Sequence, residues 1–171
     1  MQTQPVFSSR IQKFDSPLWG FHFVVPADVA GPFISGNDRR VVCTLNGRAE
    51  FQCALMPLSG GGFFINVNKK IRDSLGLAIG SEVQFTLKKD ESEYGLPMPE
   101  EMHELLQMDD EGHRLFHALT PGKQRTLLYF IGSVKSMDRR ISRALAVVDH
   151  LKITGGKVDF RLLNESVRVK V

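Results

Sequence analysis

Residues 66–87, NVNKKIRDSLGLAIGSEVQFTL, hold a polar cap, two turns of helix, two glycine stops and an alternating strand. Asn68 is a helix N-cap, because a short polar side chain there accepts from a free N–H of the first turn. Lys69 at the first helical position opposes the macrodipole, so packing rather than propensity must hold the turn. Ile71 and Leu75 are four apart and anchor one face. Gly76 sits where a helix ends in a left-handed residue, and Gly80 permits the next bend. Val83, Phe85 and Leu87 then alternate with polar residues as a half-buried strand.

The stretches before it read the same way. Trp19, Phe21, Phe23 and Val25 alternate with Gly20, His22 and Val24, giving a strand with a buried aromatic face that ends at Pro26. Residues 27–34 suggest a short helix, broken early by Gly31-Pro32. Asn46-Gly47 lies between two strand patterns and is a hairpin turn, since both central positions need positive φ. Val41, Cys43 and Leu45 share one face of that hairpin, and Phe51, Cys53 and Leu55 the matching face of its partner strand. Gly60-Gly61-Gly62 turns into another strand, FFINVN. A phosphate-cradling loop needs Gly-Lys-Ser/Thr and a following helix, which this loop lacks. Short strands with two helical plugs predict a small closed or nearly closed antiparallel barrel over residues 1–90. On this reading the opening stretch is a structural corner of that barrel.

The ordered motifs carry a resemblance. Trp19-x-Phe21, Val25-Pro26, Thr44-Leu45-Asn46-Gly47, the triple glycine, Val67 to Arg72 and Leu75-Gly76-Leu77-x-x-Gly80 resemble an uncharacterised β-barrel domain family. That family precedes a YdeI/OmpD-associated, or bacteriocin-protection, helical domain. The resemblance spans about residues 5–152 and implies the fold, but no activity for particular residues. Residues 66–87 more faintly resemble the swapped hairpin of AbrB-type DNA-binding regulators, short chains that dimerise to close a barrel. Here enough chain precedes residue 90 to close one alone.

Residues 91–99 are an acidic linker with glycine and prolines. Residues 100–152 predict three helices, at about Glu100 onward, about Asp110–Leu119 and about Lys123–Lys152. The first buries Met102, Leu105 and Leu106, and the second Leu115, Phe116 and Leu119. In the third, Leu127, Phe130, Val134, Met137, Ile141, Leu145 and Val148 fall within roughly 40° of one line. Opposite that stripe lie Arg125, Lys135, Arg139 and Arg143, with Arg140 on a flank. The helical family carries Lys followed five and eight residues later by Arg, matched by Lys135, Arg140 and Arg143. It usually has Pro and Thr where this chain has Met137 and Arg139, so the resemblance carries no ligand over. Residues 153–171 alternate around Asn164-Glu165-Ser166 and predict a terminal β-hairpin. An isolated hairpin must dock, on its own chain or on a second copy. The predicted class is therefore α+β: barrel, linker, three-helix segment and hairpin.

Charge narrows the function. The 171 residues carry a net charge of +3. Residues 90–113 hold nine acidic side chains and no basic one, while residues 114–171 hold twelve basic and four acidic. No apolar run reaches the length of a membrane span, and the start shows no signal-peptide pattern, so a soluble cytoplasmic protein without membrane attachment is expected. Two cysteines, Cys43 and Cys53, are too few for a disulfide framework and are offset across the hairpin. His113 and His117 have metal-gripping spacing, but Arg114 stands where a metalloprotease has its Glu, and exposed surface histidines are the better reading. No cofactor fingerprint or catalytic motif is present. The expected function is a non-catalytic module binding an anionic small molecule or acidic protein through Lys135, Arg139, Arg140 and Arg143. The alternatives are nucleic-acid binding by that face with Lys69, Lys70 and Arg72, and an enzyme built around His22 or the other histidines, with its site between barrel and helices.

Overall fold

The computed structural model describes residues 3–15 and 20–168. Trp19, and Val169 and Val171 of the expected hairpin, lie outside the described residues. The chain divides into two units, Met1–Glu91 and Ser92–Val171.

The first unit is two four-stranded antiparallel sheets. Its strands are β1 (Phe7–Arg10), β2 (Gln12–Lys13), β3 (Phe21–Val25), β4 (Arg40–Leu45), β5 (Ala49–Ala54), β6 (Met56–Pro57), β7 (Phe63–Asn66) and β8 (Glu82–Lys89). One sheet has the order β1-β8-β4-β5 and the other β2-β3-β7-β6. The expected closed barrel is not formed. Instead the chain passes from one sheet to the other at two corners, through Ile11 between β1 and β2 and Leu55 between β5 and β6. Both corner residues are fully buried. Bending an edge strand between two sheets buries the facing sides without a continuous ladder. Phe23 and Phe85 meet across that interior at 4.9 Å, tilted by 44°.

Local signals are realised closely here. Asn46 and Gly47 have φ of 52° and 62°, and Arg48 N–H donates to the Leu45 carbonyl across the turn. The helix α1 (Ala27–Ala30) runs into a 3₁₀ turn at Gly31–Phe33. In α2 (Lys69–Leu75), Asn68 Oδ1 accepts from Ile71 N–H at 2.9 Å and Gly76 closes the end at φ 64°. Val41, Cys43, Leu45, Val83, Phe85 and Leu87 are buried, and Ile71 and Leu75 pack against them. Cys43 faces Phe51 and Cys53 faces Val41, so the two thiols are offset and both are free. Burial pushes the Cys53 thiol up to about 12 and raises Cys43 as well, which disfavours the thiolate at both. His22 is buried, stacks on Phe14 at 3.7 Å, and its Nδ1 pairs with the Gly20 carbonyl at 3.2 Å.

The second unit has α3 (Glu100–Met108), α4 (Asp110–His117), α5 (Pro121–Gly132), α6 (Met137–Thr154) and α7 (Phe160–Arg168). Residues Tyr94, Leu96 and Met98 ahead of α3 pack against its core. Two expectations fail. The long helix over residues 123–152 is broken at Ser133–Ser136, where Ser136 caps α6 by accepting from Arg139 N–H. The break changes the phase of everything after it. Leu127 and Val148 are buried, but Met137, Ile141 and Leu145 are 60%, 41% and 44% exposed. The inward face of α6 is instead Ala144, Val147, Val148 and Leu151. The terminal hairpin is α7, and three helices become five. Asp159 starts α7 by accepting from Leu162 N–H at 3.1 Å. Leu163 is buried and Val167, four residues on, packs beside it. The second-copy reading rested on that hairpin, and Asn164, Glu165 and Ser166, its expected turn, lie inside the helix.

Candidate functional site

The four basic residues singled out by the sequence gather where α5 ends and α6 begins, but they stand in different situations. Helix α5 leaves carbonyls without intrahelical partners at its C-terminus, the negative end of its dipole. Arginines from α6 reach back to that end. Arg143 Nη1 donates to the Phe130 carbonyl at 2.7 Å and to Ser133 Oγ at 3.1 Å. Its guanidinium also lies 4.4 Å from the Phe130 ring centroid. Arg140 Nη1 donates to the carbonyls of Lys135 at 2.6 Å and Val134 at 3.2 Å. Arg140 Nε donates to Glu101 Oε1 at 2.8 Å, and that carboxylate is only 11% exposed. These bonds tie α6 to the end of α5 and to the carbonyls of the break between them. Lys135 and Arg139 are exposed and make no ion pair among the described residues.

Electrostatics separate the two arginine anchors. Glu101 holds its carboxyl below the usual carboxylate range, first through a backbone N–H of its own turn and then through Arg140, against the opposing effect of burial. Arg140 is thus charge-matched. Arg143 is not: burial and then the nearby Arg139 guanidinium both lower its pKa. It remains protonated, and its buried Nε–H has no acceptor among the described residues. Two like charges therefore stand near one another at this corner, with no carboxylate paired to either among the described residues.

Beside them is a cavity of about 480 Å³. Leu96, Met98, Pro99 and Leu128 make its apolar walls, and Tyr129, Ser133, Glu100, Glu101 and Arg140 its polar part. A mostly apolar hollow of that size with a few convergent polar groups has the character of a small-molecule site. The basic residues were legible in the sequence. The cavity was not, because it is walled by residues from the stretch before α3 and by the end of α5, and no motif joins them.

The other candidates are engaged elsewhere. Lys69 pairs with Asp73 at 2.6 Å. Arg72 lies 3.7 Å over the Phe21 ring and donates to the Val67 carbonyl. His117 Nε2 is 2.7 Å from Tyr94 Oη and its Nδ1 is 2.9 Å from the His113 carbonyl. Asp109 caps α4 at Gly112 N–H and binds Lys152 at 2.5 Å. Among the described residues no group of three or more His, Cys, Asp or Glu side chains is placed to hold a metal ion. No helix among them is long and apolar enough to cross a membrane.

Neither a curated protein nor a solved structure matches the chain. Two family models do. Residues 7–87 match the one described as Domain of unknown function (DUF1905), and residues 96–152 the one described as Bacteriocin-protection, YdeI or OmpD-Associated. The chain is thus similar to the first family over its earlier part and to the second over its later part, in the order its motifs imply.

Proposed function

We propose that this chain is a non-catalytic binding module that holds an anionic ligand, or an acidic segment of a partner, at the corner between α5 and α6. Lys135 and Arg139 meet the anion from solvent. Arg143, fixed from behind by the Phe130 carbonyl, adds charge without needing to be ordered on binding. Arg140 and Ser133 present the polar end of the adjoining cavity, and its apolar walls receive the uncharged part of the ligand. The observation that carries this reading is that Lys135, Arg139 and Arg143 make no ion pair among the described residues, while Arg143 donates to Ser133 on the wall of a hollow.

The test is calorimetric titration of the full chain with tripolyphosphate and with a Glu-rich peptide at low ionic strength. A charge-assisted hydrogen bond contributes about 1.5–3 kcal/mol. Lys135→Gln combined with Arg139→Gln is therefore expected to weaken binding by about tenfold or more. Affinity should also fall as salt is added. The reading fails if neither probe binds, or if the double variant binds as tightly as the parent.

A further inference from the structure

The residues that α6 turns outward form a second surface. Met137, Ile141 and Leu145 follow one another at four-residue intervals along one row of the helix. Leu105 and Met108 of α3 face them across a groove of about 450 Å³, floored by Ala144. Met108 is 77% exposed, more than any of the α6 residues in the row. Exposed apolar side chains scattered singly need no explanation, but a contiguous row lining a groove marks an interaction surface. The row from Met137 to Leu145 spans about 12 Å of helix axis, which suits a docked helix of a few turns. Two methionines in the lining give it side chains that adapt to a partner.

The charge of the rim selects that partner. Glu100, Glu101 and Glu104 border the groove, and no basic residue lines it. Glu101 is taken up by Arg140. Glu100 and Glu104, four apart on one side of α3, are exposed and make no ion pair among the described residues. An apolar trough with uncompensated carboxylates along one wall repels acidic segments and attracts a helix with apolar residues on one face and lysines or arginines beside them. We propose that the α3–α6 groove is a docking site for a basic amphipathic helix of a partner protein. This surface shares Glu100 and Glu101 with the cavity beside the α5–α6 corner, but Lys135, Arg139 and Arg143 do not line it, and it calls for a partner of opposite charge.

The experiment is fluorescence anisotropy of the full chain against a labelled amphipathic Leu/Lys helix of about 18 residues, roughly five turns. A scrambled peptide of the same composition and a Leu/Glu version are the controls. The Leu/Lys helix is expected to bind best. Ile141→Asp with Leu145→Asp should weaken it by about tenfold or more, with an unchanged helical circular dichroism because both positions are exposed. Glu100→Gln with Glu104→Gln, which leaves the apolar floor intact, should weaken it by about threefold and flatten its salt dependence. Lys135→Gln with Arg139→Gln should leave it unchanged, so failure here is distinct from failure of the anion site. Equal binding of the Leu/Glu or scrambled peptide overturns the proposal. So does an Asp double variant that binds like the parent, or a parent dimer in sedimentation that the Asp substitutions dissociate, which would make the groove a contact between copies.

Discussion

The two units treat their apolar residues differently. In the first, Phe23, Phe85, Ile11, Leu55 and Ile65 are sealed between the sheets, and among the described residues only Val6 and Ile79 stand out as large exposed apolar side chains. In the second, Met108, Tyr129, Met137, Ile141, Leu145, Ile153, Phe160 and Leu162 are all exposed. Among the described residues the helical unit thus carries eight of the ten. A two-sheet interior is filled from both sides and leaves little apolar surface over. Helices meet only along stripes, and α6 has more apolar circumference than its neighbours cover. The difference separates a unit built chiefly around its own core from one that leaves apolar surface exposed. That is why both proposed surfaces lie in the second.

The comparison breaks most readily by truncation. Phe85→Ala empties a site that is 1% exposed and touches Phe23, and should cost about 3–5 kcal/mol in urea unfolding. Ile141→Ala, on the exposed row of α6, should change stability by no more than about 0.5 kcal/mol. A large cost at Ile141 would show that the row is covered in solution and is not a free surface.

A smaller effect probes the inner face of the helical unit. A Cβ added at Gly112 would stand 2.8 Å from Val148 Cγ1 and 3.1 Å from Asp109 Cγ. Val148 is β-branched and held in a helix, so its χ1 cannot easily turn away. Gly112→Ala should therefore destabilise by about 1–3 kcal/mol. If the variant is neutral, the α4–α6 contact is looser than the sheet interior and the contrast between units extends to their cores.

What could be read from the sequence follows from how local each cause is. Asn46-Gly47, Asn68 and Gly76 act within a few residues, and each does what its chemistry demands. The two corners at Ile11 and Leu55 depend on sheets that are remote in sequence, so a run of strands read as a closed barrel. The apolar spacing from Leu127 to Val148 continues through the break by coincidence. Only Gly132-Ser133 and the capping Ser136 betrayed it, and a long stripe outweighed them. Once the phase shifted, three of the seven stripe residues became the exposed row, and Arg140 and Arg143 became ties to the end of α5 and the break after it. At the C-terminus, alternating apolar residues fit a strand, while Leu163 and Val167 also fit one helix face. Asp159 and the docking of Leu163 decided for the helix. The four basic residues were visible as chemistry, yet their partners in the fold were not.

The weakest expected effect asks whether charge or apolar packing ties α3 to α6. Glu101 has its carboxyl held below the ordinary range, by a backbone N–H of its own turn and by Arg140. A carboxylate whose pKa is depressed by folding stabilises the native state above the unfolded value of about 4.3, and that stabilisation is lost as pH falls through the folded value. Unfolding of the parent followed by helical circular dichroism should therefore grow easier as pH drops below about 4.3. Glu101→Gln should remove part of that slope, leaving the part due to Asp109, whose carboxyl is held low by Lys152 and the Gly112 N–H. Because the pair is partly solvated, the difference should be smaller than either preceding one. An unchanged slope would mean that buried Met102 and Leu106 hold α3 in place and that Arg140 acts chiefly on the carbonyls of Val134 and Lys135. In that case its guanidinium would be freer to face the neighbouring cavity than its bond to Glu101 suggests.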